Sequence, residues 1–122
     1  MAAATTCIPQ NGASGMIFRI AEIEVYPDYL GEYLAFAEKI DRLSLQNETG
    51  VICLFPMQSA ADSCQIRILE IYRDSAAYQS HLKTPWFLEY KQGTAQMVKS
   101  LQLPEFKPIS EDIMNLVFKK TE

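Results

Sequence analysis

The sequence holds one histidine, three cysteines and five glycines in 122 residues, and those scarcities exclude much chemistry at once. His81 stands alone, and Cys7, Cys53 and Cys64 show no CxxC spacing, so no zinc ligand set forms. The few glycines make neither a GxGxxG turn nor a phosphate-cradling loop, and no Ser-His-Asp pattern marks a hydrolase. No stretch approaches the roughly 18 apolar residues of a membrane span. Cationic charge is also short: 11 Lys and Arg against 15 Asp and Glu, a net of −4 without runs, leave no footprint for nucleic acid.

What is present suits one folded domain. Hydrophobic residues make up 48% of the chain and aromatic residues 11%, enough for one core at this length. Residues 1–15, rich in Ala, Thr, Asn, Gly and Ser and without periodicity, read as a disordered tail. They also fit the remnant of an export signal removed in cloning. The compartment is accordingly expected to be cytoplasmic, or periplasmic if such a signal was lost.

Met16 to Val25 is apolar and β-branched with charges interleaved, the pattern of a strand. After Pro27 and Asp28, Leu30, Tyr33, Leu34, Ala37, Ile40 and Ser44 recur at helical spacing, predicting an amphipathic helix that ends before Gly50. Val51 to Gln58 and Gln65 to Tyr72 are apolar runs of strand length joined by the polar Ser59 to Ser63, hence a hairpin. Pro56 cannot donate to a ladder, which puts its strand at an edge or a bulge. A turn near Ala60 to Asp62 sets Cys64 opposite about Met57 and Cys53 opposite about Ile68, out of register for a bridge, so buried or idle thiols are expected.

Asp74 is placed to cap a short helix through about Leu82, and Thr84 with Pro85 to start another, whose Phe87, Tyr90, Thr94 and Met97 share a face. Val98 to Leu103 alternates as a half-buried strand that Pro104 ends. The order β-α-β-β-α-β is the split βαβ arrangement of ferredoxin-like α+β folds, its second helical region broken at Lys83 and Thr84. This domain occupies residues 16–104. Residues 105–122 form a C-terminal extension in which Ser110 caps a short helix with an apolar face of Ile113, Leu116 and Val117, expected to dock on the body or on a partner chain.

Helices cover one face of such a sheet. Alternation places Ile17, Arg19, Ala21, Ile23 and Val25 opposite Phe18, Ile20, Glu22 and Glu24, and Val51, Cys53, Phe55 and Met57 opposite Ile52 and Leu54. Both faces carry apolar residues, which predicts a homodimer packed sheet to sheet.

RIAEIEVYPDYLGEYLAF (Arg19 to Phe36) and RILEIYRDSAAYQSHLKTPWFLEYKQGTAQMVKSLQL (Arg67 to Leu103) resemble antibiotic biosynthesis monooxygenase domains, the resemblance covering about Met16 to Leu103. Its most telling element is Glu70-x-Tyr72, a short helix, then His81-x-x-Thr84-Pro85-x-Phe87. The resemblance implies a dimeric α/β barrel with a pocket between sheet and helices in each subunit. It also implies oxidation of quinols or polycyclic phenols by molecular oxygen with no metal or flavin cofactor. Many relatives read Pro-His-Phe where this chain has Pro85-Trp86-Phe87, so the alternative is a non-catalytic, stress-associated binding module of the same fold. Haem-degrading relatives place an axial histidine where this chain has Lys91, a poor iron ligand when protonated, which disfavours haem handling.

The candidate general base is His81, since an imidazole takes and returns protons near neutrality; a structural hydrogen bond at a helix end is its plain alternative. Glu70, embedded among apolar strand residues, would orient His81 or hold a substrate hydroxyl, or pair with Arg19 or Arg67. Tyr72, Trp86, Phe87 and Tyr90, with Tyr33 and Phe36 from the first helix, would wall a flat pocket for an aromatic ligand, or would simply pack the core.

Overall fold

The computed structural model describes residues 15–122; Cys7 and all of the expected tail but Gly15 lie outside them. Strand β1 (Ile17–Val25) runs into a 3-10 turn at Pro27–Tyr29 and helix α1 (Leu30–Asn47). The hairpin of β2 (Val51–Gln58) and β3 (Gln65–Tyr72) follows, then α2 (Ser75–His81), α3 (Pro85–Thr94) and β4 (Val98–Gln102). The antiparallel sheet has the order β2-β3-β1-β4, with Pro56 on an edge strand as its missing N–H requires. This is the ferredoxin-like α+β fold, and no helix among the described residues is long and apolar enough to cross a membrane.

Cross-strand register sorts the side chains into two faces, because directly paired residues point the same way. Ile17 pairs with Tyr72, Ala21 with Ile68 and Ile23 with Ile66, and these residues, with Tyr33 and Ala37 of α1, make the core beneath the helices. Phe18 and Ile20 pair with Ile71 and Leu69 on the other side. There Phe55 and Phe106 are 58% and 49% exposed.

Two details differ from the simple alternation. A bulge between Val51 and Cys53 breaks the period of β2, so Val51 and Leu54 both enter the core, although strict alternation separates them. The hairpin register is also shifted: Cys53 pairs with Ile71 and Met57 with Arg67, not with Ile68 and Cys64. The cause is local, since Asp62 Oδ1 accepts from Cys64 N at 3.0 Å and Asp62 O from Gln65 N at 3.0 Å, centring the reversal on Asp62. Cys53 and Cys64 are free thiols.

Pro104 ends β4 but not the sheet. A two-residue β5 (Glu105–Phe106) pairs with the start of β1, Phe18 with Phe106 and Arg19 with Glu105. The tail helix α4 (Glu111–Lys119) forms where its pattern predicts, yet Ser110 at its N-cap makes no side-chain capping bond. Its apolar face does not dock on the body: Ile113, Leu116 and Val117 stay more than half exposed.

Candidate functional site

The break between α2 and α3 leaves the helical roof incomplete, and beneath it lies a cavity of about 640 Å³. Its floor is Ala21, Ile23, Ile68 and Leu54 from the sheet; Asp41, Glu70, Tyr72, His81 and Tyr90 are among its polar groups, and Lys91 and Lys99 also line it. Asp74 accepts from Ala77 N at 2.8 Å and starts α2, a helix only seven residues long. Thr84 does two jobs at the break: its Oγ1 accepts from Phe87 N at 3.1 Å and donates to His81 O at 2.9 Å. The spacing His81-x-x-Thr84-Pro85 thus ties the end of one helix to the start of the next.

His81 is 4% exposed and lines the cavity, with its ring against Tyr72 at 5.5 Å and Phe87 at 5.2 Å. Its Nδ1 lies 3.2 Å from both carboxylate oxygens of Glu48, which also accepts from Trp86 Nε1 at 2.7 Å. Glu48 follows α1, and the approach is possible because α2 rests on Gly50, where a Cβ would collide with Ala77. With Nδ1–H donating to Glu48, Nε2 is left as the acceptor of the neutral ring.

Glu70 therefore does not orient His81. Its Oε1 accepts from the Tyr72 hydroxyl at 3.0 Å. Burial raises its carboxyl above the ordinary range, opposed by that bond and by the charge of Arg19, its partner across the ladder. Arg19 in turn meets Glu105 at 3.7 Å and lies 4.9 Å above the Tyr78 ring.

The six aromatics divide evenly. Tyr72, Phe87 and Tyr90 line the cavity, while Tyr33, Trp86 and Phe36 stand behind its wall. Tyr33 is fully buried and shares a 2.6 Å hydrogen bond with the Tyr90 hydroxyl. Burial is the main cause raising both phenols, Tyr90 to about 12. Trp86 serves Glu48, and Phe36 packs where a side chain at Gly93 would collide with it. Lys91 lies at the exposed edge of the lining.

Two residues escaped the sequence reading. Glu48 reaches His81 across 33 positions and leaves no local signal. Asp41 did leave one, since it follows Tyr33 and Ala37 along the buried stripe of α1 at spacings of four. It is 8% exposed, lines the cavity, and its Oδ2 is buried without a hydrogen-bond partner. Burial, then the charge of Glu70, pushes its carboxyl up to about 7. Among the described residues no group of three or more His, Cys, Asp or Glu could hold a metal ion.

A ferredoxin-like sheet with a buried histidine in a cavity under a broken helical layer defines a class of small α+β proteins. Within it, the chain belongs to the antibiotic biosynthesis monooxygenase family, whose family model matches residues 16–93. A candidate antibiotic biosynthesis monooxygenase from Bacteroides thetaiotaomicron is similar at 37% identity and a TM-score of 0.79, over 81% of this chain and 94% of that one. Structures similarly described share the fold: from Caulobacter crescentus at 17% identity, TM-score 0.74, over 84% and 99% of the two chains, and from Nitrosomonas europaea at 18%, TM-score 0.73, over 79% and 92%. No curated protein sequence matches the chain.

Proposed function

We propose that this protein is a cofactor-independent monooxygenase that oxidises a quinol-like or polyphenolic aromatic with molecular oxygen, His81 acting as general base. The observation carrying this reading is the buried His81, braced by Glu48 and set in an aromatic-lined cavity of a size suited to a two- or three-ring ligand. Nε2 of His81 takes the proton of a phenolic or enolic hydroxyl, and Glu48 stabilises the resulting imidazolium. The electron-rich anion then passes one electron to oxygen. Recombination of the two radicals at a ring carbon that carries hydrogen forms a carbon–oxygen bond, the peroxide takes the proton back from His81, and loss of water with that hydrogen leaves a carbonyl: one oxygen atom enters the substrate, the other leaves as water, and all four electrons come from the substrate. The reaction thus calls for neither metal nor flavin.

Trp86 motivates the rival reading, a binding module that has lost its chemistry. Its indole points to Glu48 and lies outside the cavity lining, so the exchange of histidine for tryptophan leaves His81 in place, which favours the enzyme. The working unit is proposed to be a homodimer that covers the outer sheet face around Phe55 and Phe106. Sedimentation at micromolar concentration should give twice 13.8 kDa; a single monomeric species would refute the dimer. Oxygen uptake over a panel of quinols, compared between wild type and His81→Ala, tests the chemistry. Equal rates would remove His81 from the mechanism, and no uptake with any quinol would leave the binding module.

A further inference from the structure

The cavity holds a second polar group that the role of His81 leaves unused. Asp41 projects from the middle of α1 into a wall otherwise built of Ala37, Ile40 and Leu54, and one of its oxygens has no donor. A buried acceptor left bare is costly, and proteins rarely keep one without a use. The groups whose charge couples to it are Glu70 of β3, Tyr33 of α1, Tyr90 of α3 and the Cys53 thiol of β2, none of them a cation. Arg19 stands beside Glu70 instead, and Lys91 lies on the rim. Of the two acids, Glu70 already accepts from Tyr72, whereas the carboxyl of Asp41 has a buried oxygen, Oδ2, with no donor.

We infer that Asp41 is a second substrate-contacting group, its carboxyl at the cavity wall hydrogen-bonding one oxygen of an aromatic ligand that carries two, while His81 meets the other. This rests on the cavity being the substrate site and assigns the second oxygen of such a ligand to Asp41. A carboxyl poised near neutrality suits either kind of oxygen in such ligands: ionised, it accepts from a hydroxyl, and protonated, it donates to a keto group.

The experiment is anaerobic calorimetric titration of the full chain with 1,4-dihydroxynaphthalene and with 1-naphthol, for wild type, Asp41→Asn and Asp41→Leu. Wild type should prefer the diol by about tenfold, the worth of one hydrogen bond to a charged group. The preference should vanish in Asp41→Leu and survive in part in Asp41→Asn. Removing a bare buried carboxyl does not threaten folding, and thermal melts will verify that both variants are intact. Equal affinity for the two ligands in wild type, or an unchanged preference in Asp41→Leu, overturns the inference, as does equal loss of both ligands, which marks a steric effect. Because no oxygen is present, the outcome separates from the enzyme reading: a preference that depends on Asp41 without oxygen uptake in air keeps this contact and sinks the oxygenase, and uptake with no such preference does the reverse.

Discussion

Two polar stations in one cavity wall are built on opposite plans. At the first, His81, Glu48 and Trp86 form a closed set, with Nδ1 and Nε1 both on one carboxylate and aromatic rings on either side of the imidazole. At the second, Asp41 is buried too and left with an oxygen that no donor meets. A satisfied network fixes a side chain and sets its tautomer, so the first station is held ready before any ligand arrives. An open acceptor costs stability until something fills it, so the second is completed from outside. Preorganisation and ligand demand are thus visible as the presence or absence of hydrogen-bond partners.

The comparison breaks most sharply at His81. His81→Ala should lower the rate of quinol-dependent oxygen uptake by about 10²- to 10⁴-fold, the usual contribution of a positioned general base. Retention of more than a tenth of the rate would mean that the closed set is scaffolding.

Asp41 offers a stability test of the opposite sign. Its folded carboxyl, raised from 3.8 to about 7, binds its proton more tightly than the unfolded chain does. Its contribution is therefore complete below the unfolded value and is lost as pH rises through about 7, a change of order 4 kcal/mol for a shift of about three units at 1.36 kcal/mol each. Asp41→Asn should flatten the fall in urea midpoint between pH 5 and pH 8 and be the more stable protein at pH 8. Glu70, raised in the same sense, leaves some slope in the variant. Parallel curves for the two proteins would show that Asp41 is not a buried acid in solution.

How far the sequence reached follows the range of the forces involved. The strands, α1, the capped starts of α2 and α3 and the tail helix were legible because period, Asp74, Thr84 and Pro85 act within a turn or two. The faces of β2 were not, because the bulge before Cys53 depends on pairing with β3. His81 and Glu70 were singled out as chemistry-bearing residues among apolar neighbours, and both line the cavity, but the link between them was wrong. The true partner, Glu48, is delivered by Gly50 packing under α2, a tertiary event. Asp41 was readable as a charge on an apolar stripe and was passed over for the charges around it.

Glu48→Gln sharpens the closed station. An amide still accepts from Trp86 but carries no charge to stabilise an imidazolium, so kcat should fall by about 10- to 100-fold with KM little changed. An equal rise in KM would assign Glu48 to substrate binding instead. Gly50→Ala should act on both quantities, since α2 must shift to admit a methyl group against Ala77, with a stability loss of about 1–3 kcal/mol. Denaturant melts that match wild type would show the contact to be looser than drawn.

The smallest effect is expected at Trp86, where the family resemblance implies histidine. Trp86→His restores the Pro-His-Phe pattern, yet position 86 faces Glu48 behind the wall and does not line the cavity. An imidazole there can donate to the same carboxylate, so it replaces one hydrogen bond with another and brings no new base to the ligand. Oxygen uptake should stay within about threefold of wild type, under 1 kcal/mol in barrier. Trp86→Phe, which removes the donor altogether, should cost slightly more, because one lobe of the Glu48 carboxylate then loses its partner. A gain of tenfold or more in Trp86→His would overturn this ordering, since it would require that residue 86 reach the substrate past the rings packed against His81.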